Sequence, residues 1–299
     1  MKRFVTYIFG FAFLAILVYL FMLFLWVNFA PNPMVKNFVV APKGLIAHKM
    51  KDLGTIKAID AVVLGSSCAY RGYDPRIFRQ SGIEMFNFGT SSQTPLQTNF
   101  VVDKYVSKLN PKLVIFDILP YQFEENGLES TLDFLANGIH VSTIDLTSKN
   151  IKVYNTYLYA TVFKSYLDKK ETNRDFNGTY ISGGYVENFK VFKPNKKDTL
   201  KSKPCNILPQ QLAAFEQAVN KIKARHIPFV LVQSPIPLST YNARQNNAAL
   251  DSLFAQYGTY YNFNKILTLP DSLFYDAIHL NQNGVNIFNK KLIEIIGTD

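Results

Sequence analysis

Cysteine and histidine are scarce in this chain, and the few present form no metal-binding pattern. The 299 residues include two cysteines, Cys68 and Cys205, and four histidines. Two cysteines are too few for a disulfide scaffold, their spacing does not match a zinc site, and whether they pair with each other stays open. His48, His140 and His226 are scattered without ligand spacing. We therefore expect no bound metal.

Nucleotide-binding motifs, repeats and low-complexity tracts are also missing. The sequence has neither a P-loop nor a dinucleotide-binding glycine fingerprint, so we expect no cofactor. Hydrophobic residues make up 48% of the chain and charged residues 18%. Because such a chain can bury enough apolar surface to offset its conformational entropy, disorder is excluded. The length fits one α/β domain after an apolar N-terminus.

Acidic residues are in the minority, which bears on the kind of partner to expect. There are 22 acidic and 32 basic residues, giving a formal net charge of +10. This balance favours an anionic partner, such as lipid headgroups, acidic glycans or nucleic acid. Much of the excess lies in one polar segment containing Lys190, Lys193, Lys196, Lys197, Lys201 and Lys203. We interpret it as a solvated basic loop and, since no nucleic-acid motif accompanies it, expect no nucleic acid as partner.

A long apolar run occupies the N-terminus. Residues 4–27 contain no charged residue. At about 1.5 Å per residue such a helix spans a hydrocarbon core of roughly 30 Å. The run is longer than the apolar region of a cleaved signal peptide and ends at the interfacial residue Trp26. We predict a membrane anchor over 1–30, a linker over 31–57 and one domain over 58–299, with a buried core helix as the alternative to the anchor.

The orientation of the anchor depends on the charges at its two ends. Lys2 and Arg3 precede the apolar run, and Lys36 and Lys43 follow it, so the bias is nearly balanced. The tail before the helix is short, and a large following domain translocates largely regardless of its charge. We expect the N-terminus inside and the domain extracytoplasmic, in the periplasm or at the cell surface.

Strand and helix patterns alternate through the domain. Predicted strands cover 58–64, 84–88, 112–119, 228–233 and 259–263, and predicted helices run from Pro95 to about Leu109, from Pro209 to about Arg225, and from a cap at Asn281 to Ile296. Because parallel strands need crossover helices, we predict an α/β three-layer sandwich with a central parallel sheet. Functional loops then lie at the carboxyl ends of the strands.

Residues 121–205 break this alternation and read as an insertion after the third strand. They are rich in Tyr, Phe, Asn, Gly and Lys, and TYISGGY at 179–185 places a Gly-Gly turn between two strand-like pieces. The aromatic side chains suit stacking on sugars, or equally the packing of a small satellite core.

Two motifs carry residues suited to nucleophilic catalysis. In VVLGSSCAYRGYDP, residues 62–75, a buried strand stops at a glycine and delivers Ser66 and Ser67 to its carboxyl end. In DAIHLNQNG, residues 276–284, Asp276 and His279 stand three apart, so the carboxylate can orient the imidazole. A serine needs an adjacent base, and triads assemble from distant loops. We predict a Ser67, His279, Asp276 triad, with Ser66 as the alternative nucleophile; each motif alone also fits a tight turn or a surface pair.

These motifs resemble those of the SGNH (GDSL-like) hydrolase superfamily. The matching blocks are GSS at 65–67, FNFG at 86–89 and DAIH at 276–279, within the regions 58–119 and 227–296. The resemblance implies a flavodoxin-like fold with Ser67 as nucleophile, His279 as general base and Asp276 as its orienter. It also implies that the backbone N–H groups of Ser67 and Gly89 are oxyanion donors.

The third block of that family departs from the pattern. It should carry an asparagine, but this chain has VIFDILPYQF at 114–123, where Asp117 and Gln122 match nothing residue for residue. One missing oxyanion donor can cost roughly 2.7 to 4 kcal/mol of transition-state stabilisation. Similar weakening is found in the branch resembling the D-alanyl transfer protein and the alginate-acetylation proteins, which are anchored or secreted and handle acyl groups on envelope polymers.

The motifs and the anchor together predict an extracytoplasmic serine esterase or O-acyltransferase. Its expected substrates are acyl esters of cell-envelope glycans or lipid-linked molecules. Arg71 and Asp74 either contact the substrate or each other. The alternative is a non-catalytic envelope protein of the same fold that binds glycan or a membrane-bound acyltransferase partner, as the missing asparagine suggests.

Overall fold

The computed structural model describes residues 2–29, 45–56, 58–136, 155, 177–193 and 202–297. The chain divides into two compact units. One comprises Met1–Gly44 and Thr131–Arg174, and the other comprises Leu45–Ser130 and Asp175–Asp299. Of the sequence expectations, those for His140, Lys196, Lys197 and Lys201 and for most of the linker lie outside the described residues.

The first unit contains helix α1, Lys2–Phe29. Nearly all its large apolar side chains are exposed, although the Tyr19 hydroxyl donates a hydrogen bond to Asn155 Oδ1. Within the described chain, Lys2–Trp26 is the one stretch long and apolar enough to cross a membrane. A membrane anchor and an N-terminal signal sequence both have these properties.

The second unit is built on a five-stranded parallel sheet. The strands of the chain are β1 (Ala61–Leu64), β2 (Met85–Asn87), β3 (Leu113–Asp117), β4 (Thr179–Ile181), β5 (Tyr185–Glu187), β6 (Phe229–Gln233) and β7 (Tyr260–Asn262). The sheet has the order β2-β1-β3-β6-β7, and every neighbouring pair is parallel. All five predicted strands are therefore confirmed, with shorter bounds. Strand β1 begins at Ala61, which pairs with Met85 of β2 and with Leu113 of β3.

Ten further helices are described after α1. They are α2 (Leu45–Leu53), α3 (Ser67–Gly72), α4 (Pro75–Gln80), α5 (Pro95–Val101), α6 (Leu128–Ala136), α7 (Pro209–Ala224), α8 (Leu238–Asn242), α9 (Asn247–Ala255), α10 (Phe263–Ile266) and α11 (Gln282–Ile296). A π-helical turn, Val102–Val106, and a final turn, Ser107–Leu109, continue α5 to its predicted end. Short 3-10 helices cover Pro120–Phe123 and Asp271–Leu273.

Capping residues fix the starts of α5 and α11. Thr94 and Gln97 form a capping box ahead of α5, and Pro95 occupies its first turn. Asn281 accepts the Gly284 N–H and so begins α11, as predicted from the sequence.

Two helical layers cover the faces of the sheet. Helices α5 and α7 pack on each other, and the Phe215 ring of α7 lies edge-on to Phe116 of β3 at 5.9 Å. Helices α3, α4 and α11 form the other layer, where Phe288 of α11 shares a core cluster with Val63 and Ile115. Strands covered on both faces are expected to be apolar along their length, and β1, AVVL, is so, whereas β2, β3, β6 and β7 each carry one polar residue at the carboxyl end. The predicted three-layer sandwich is confirmed.

The described part of the insertion includes an antiparallel hairpin of β4 and β5. Its turn holds Gly183 and Gly184 at φ +94, a conformation that favours glycine, so the predicted Gly-Gly turn is confirmed. The Asn87 N–H at the end of β2 donates to the Gly183 carbonyl at 2.8 Å. The buried Lys49 ammonium donates to the carbonyls of Asn87 and Gly184 at 2.5 and 2.6 Å, and burial lowers the pKa of Lys49 well below its ordinary value. The hairpin is thus fastened to the edge of the sheet.

Candidate active site

The turn after β1 places Ser66 and Ser67 at the carboxyl edge of the sheet. A side chain at Gly65 would approach Asp117 to 2.9 Å, so only glycine fits there. Ser66 is buried and is the N-cap of α3, with its hydroxyl accepting the Cys68 N–H at 3.4 Å. Ser67 is the first residue of that helix. The turn therefore gives the two serines different surroundings, and Ser66 is engaged in capping.

The structure brings Ser67, His279 and Asp276 into one hydrogen-bonded chain. The Ser67 Oγ lies 2.8 Å from His279 Nε2. On the other side of the ring, His279 Nδ1 lies 2.8 Å from Asp276 Oδ2 and 3.0 Å from Oδ1. Asp276 Oδ1 also accepts the backbone N–H groups of Ile278 and His279 at 2.8 Å each. The carboxylate thereby holds both the imidazole and the loop that carries it.

The electrostatics of Asp276 favour its charged form. Burial alone would raise its pKa, but the hydrogen bonds from the His279 ring and from two backbone N–H groups outweigh burial and lower the pKa. An ionised Asp276 accepts a hydrogen bond from the N–H at His279 Nδ1, which leaves Nε2 as the acceptor facing Ser67. The side chain of His279 is 15% exposed and that of Asp276 41% exposed, so solvent reaches the site.

Tyr275 lies against the imidazole, a contact that the sequence did not indicate. Its ring is stacked on His279 with a centroid separation of 5.3 Å and an interplanar angle of 8°. The Arg71 guanidinium lies 5.2 Å from the Tyr275 ring centroid and 5.0 Å from that of Tyr70. Arg71 is four residues after Ser67 in α3, so the two side chains share a helix face. An aromatic residue beside a D-x-x-H motif was the only available signal.

Arg71 and Asp74, considered together from the sequence, do not pair with each other. Asp74 accepts from Arg76, whose Nη2 lies 2.6 Å from its Oδ2, and from the Gln282 side chain at 3.0 Å. The Arg71 guanidinium donates to the carbonyl of Asn177 at 3.4 Å. Asp74 is therefore a structural link between α4 and α11.

Gly89 occupies a tight position behind α3. A side chain at residue 89 would approach Ala69 Cβ to 2.7 Å and the Ser66 carbonyl to 2.8 Å. The Gly89 N–H donates to Asn87 Oδ1 at 3.0 Å. Its role as an oxyanion donor stays a prediction, and it requires this N–H to turn from Asn87 to the substrate.

Asn87 is a site-supporting residue that the sequence interpretation missed. Its Nδ2 donates to the carbonyls of Ala69 and Tyr73 at 2.7 and 3.1 Å, which satisfies groups at the end of α3. The side chain is fully buried. A polar residue inside the apolar FNFG block was the signal that could have identified it.

Asp117, in the divergent third block, has a structural position rather than a place in the triad. Asp117 is buried and accepts the Tyr73 hydroxyl at 3.0 Å. Burial raises its pKa to about 6, although hydrogen bonds from Ser234 and Tyr73 act in the opposite direction. Gln122 lines a cavity of about 20 Å³ with Gly65 and other residues. Among the described residues, neither Asp117 nor Gln122 hydrogen-bonds to the triad.

Both cysteines are buried and unpaired, so the disulfide left open by the sequence does not form. Cys68 packs in a small apolar cluster with Leu119, Ile236 and Tyr241. Burial raises the pKa of the Cys68 thiol well above its ordinary value, which suppresses thiolate chemistry. Cys68 therefore packs the turn, as predicted. Among the described residues, no cluster of three metal-ligating side chains occurs.

Comparison with known proteins gives solved structures but no sequence family. No family model matches the chain, and no curated protein matches it. One similar solved structure is a proposed acylhydrolase from Bacteroides fragilis NCTC 9343, with 14% identity, a TM-score of 0.44, and coverage of 85% of this chain and 96% of that one. Another is a GDSL-like lipase from Bacteroides thetaiotaomicron VPI-5482, with 13% identity, a TM-score of 0.42, and coverage of 87% and 99%. The fold of this chain is established by its own strand order.

Proposed function

We propose that the chain is a membrane-anchored serine esterase with Ser67 as nucleophile. The observation that carries the proposal is the continuous chain of contacts from Ser67 Oγ through His279 to Asp276, with both links at 2.8 Å. These side chains lie at the carboxyl edge of a parallel sheet, where α/β proteins place their sites. A hydroxyl, an imidazole and a carboxylate in this order form an activated nucleophile.

The geometry supports a two-step acyl transfer. Ser67 Oγ bonds to the ester carbonyl carbon as its proton passes to His279 Nε2. The C–O bond to the leaving alcohol then breaks, and that alcohol takes the proton from His279. A second acceptor, deprotonated in turn by His279, bonds to the acyl carbon; the bond from that carbon to Ser67 Oγ then breaks, and His279 returns the proton to Ser67 Oγ. The backbone N–H of Ser67 is the proposed first donor to the oxyanion, and Gly89 the second.

The substrates and the location belong to the same proposal. The apolar α1 supports anchorage, with the second unit outside the cytoplasm. A net charge of +10 suits polyanionic envelope material. We therefore assign acyl esters of envelope glycans or lipid-linked molecules as substrates. Water as the second acceptor gives an esterase, and a sugar hydroxyl supplied beside a membrane-bound acyltransferase partner gives an O-acyltransferase.

Fluorophosphonate labelling of the full chain in detergent tests the nucleophile. The wild type should form a covalent adduct at Ser67, whereas Ser67→Ala and His279→Ala should not. Ser66→Ala is the matched control, because Ser66 is adjacent and caps α3. If labelling persists in Ser67→Ala, Ser67 is not the nucleophile. If labelling disappears equally in a folded Ser66→Ala, the assignment of Ser67 over Ser66 is wrong.

A non-catalytic binding protein is the second candidate. It is favoured by the Gly89 N–H, which is occupied by Asn87, and by the absence of the third-block asparagine. Under this alternative, folded wild-type protein is not labelled, and Ser67→Ala leaves the binding of an acylated glycan unchanged.

A further inference from the structure

Two exposed hydrophobic side chains lie just after the β4–β5 hairpin. Phe189 is 65% exposed and Val191 is 50% exposed. Most other large hydrophobic side chains with high exposure in the described chain belong to α1. Single exposed hydrophobic residues need no explanation, but an apolar pair within three residues marks a surface suited to contact.

The charges around this pair are positive. Lys190 and Lys193 are exposed, and residues 188–193, NFKVFK, include no acidic residue. Lys190 Nζ donates to the neutral Asn177 Oδ1 at 2.8 Å, and it forms no ion pair with any residue that the structure describes. The preceding Glu187 forms an ion pair with Arg76 at 2.5 Å. The surface therefore combines exposed apolar side chains with exposed lysines.

Hydrogen bonds hold residues 188–193 against the loop of the proposed triad. The Gln282 N–H donates to the Asn188 carbonyl at 2.7 Å, and the Phe192 N–H donates to the Phe274 carbonyl at 2.8 Å. Asn281 Nδ2 donates to the Lys190 carbonyl at 3.2 Å. Because this loop carries Asp276 and His279, the exposed patch is fixed beside the site.

We propose that residues 188–193 contact the anionic surface of the bilayer that anchors α1. Phe189 and Val191 would enter the boundary between headgroups and acyl chains, and Lys190 and Lys193 would lie at lipid phosphates. Apolar and basic side chains in alternation match both parts of that interface, whereas a glycan offers no apolar layer for Val191. The inference rests on the proposed anchorage by α1. It deepens the proposed function, because a site held at the bilayer surface would act on lipid-linked esters.

The single tryptophan of the chain makes this contact measurable. In a Trp26→Phe background, Phe189→Trp reports the environment of residue 189 alone. The full chain is incorporated into nanodiscs of phosphatidylcholine with or without phosphatidylglycerol, carrying acyl chains with or without bromine. The matched control is Lys112→Trp in the same background, since Lys112 is 83% exposed and immediately precedes β3, at the amino ends of the strands rather than at the carboxyl ends where the triad lies.

We expect blue-shifted emission and quenching by brominated acyl chains for Phe189→Trp but not for Lys112→Trp. Anionic lipid should increase the quenching, and Lys190→Gln with Lys193→Gln should reduce the population in contact, by roughly fivefold for each lysine. The inference would be overturned if the two tryptophans were quenched equally, or if the tryptophan at residue 189 were not quenched in protein that has entered the discs. The exposed surface would then be assigned to contact with a protein partner. Protein that fails to enter the discs would overturn it together with the anchor.

A Ser67→Ala arm separates this inference from the proposed chemistry. Quenching should be unchanged by Ser67→Ala, because the contact does not involve the nucleophile. Quenching without fluorophosphonate labelling of the wild type refutes the esterase alone. Labelling without quenching refutes the membrane contact alone.

Discussion

Ser67 follows β1, an interior strand of the sheet, by a two-residue turn, whereas Asp276 and His279 lie on a loop outside the sheet. The Ser67 side is built locally, from β1, Gly65 and the buried Asn87 behind α3. The loop has no strand of the sheet within it. It receives hydrogen bonds from distant parts of the chain, including Phe192 and the Thr240 hydroxyl, which donates to the Ala277 carbonyl at 2.7 Å.

This difference shows how the two halves of the site depend on the rest of the chain. The nucleophile turn is specified by residues within one motif and by the strands beside it. The loop with the base depends on the described part of the insertion, which contributes residues 188–193. Changes on the two sides should therefore have different consequences, as three substitutions can show.

Asp276→Asn should have the largest effect, because it removes the carboxylate that holds His279 and the loop around it. The amide cannot hold the imidazole in the tautomer that presents a free Nε2 to Ser67. We expect kcat/KM for a short-chain p-nitrophenyl ester to fall by about 10⁴-fold, with the fold intact by circular dichroism. Asp271→Asn, on the same segment, is the matched control and should retain activity. A loss of kcat/KM below about tenfold would show that Asp276 does not take part in catalysis.

The sequence predicted more of the Ser67 side than of the loop side, for a physical reason. The strand, the glycine and the serines are neighbours in the chain, so their pattern is visible. The stacking of Tyr275 and the hydrogen bond from Phe192 join residues distant from each other or outside any motif. Some strand bounds were predicted too long because apolar residues outside the paired stretch, such as Ile59 before β1 and Ile118 after β3, continue the apolar pattern. The role of Asp117 was not predicted, because burial, which sets that role, is invisible in the sequence.

Asp117→Asn should have an intermediate effect, on stability rather than on chemistry. An unfolded carboxyl titrates near pH 4, whereas burial raises the pKa of Asp117 to about 6. Between these values the folded state binds more protons than the unfolded state, so the free energy of unfolding falls as pH rises. The loss is roughly 3 kcal/mol, at about 1.4 kcal/mol for each pKa unit.

Asparagine at residue 117 carries no titrating proton, so this decrease should be absent from the variant. Chemical denaturation of the full chain in detergent, from about pH 4 to pH 7, measures it. Asp60→Asn is the control, since Asp60 is only partly buried and its pKa is lowered, not raised, by its hydrogen bonds with Lys112 and Glu84. An unchanged pH dependence in Asp117→Asn would show that Asp117 is not the group responsible.

Tyr275→Leu should have the smallest effect. It tests how much the stacked ring of Tyr275 contributes to the orientation of His279. The Tyr275 ring lies parallel to the imidazole at 5.3 Å, and such contacts contribute roughly 0.5 to 1.5 kcal/mol. Loss of the stack should lower kcat by about two- to tenfold with little change in KM, because the ring orients His279 rather than the substrate. Tyr275→Phe keeps the stack and should retain wild-type kcat. If both variants lose activity equally, the phenolic hydroxyl rather than the stacked ring positions the base, and the loop side depends on a polar contact instead.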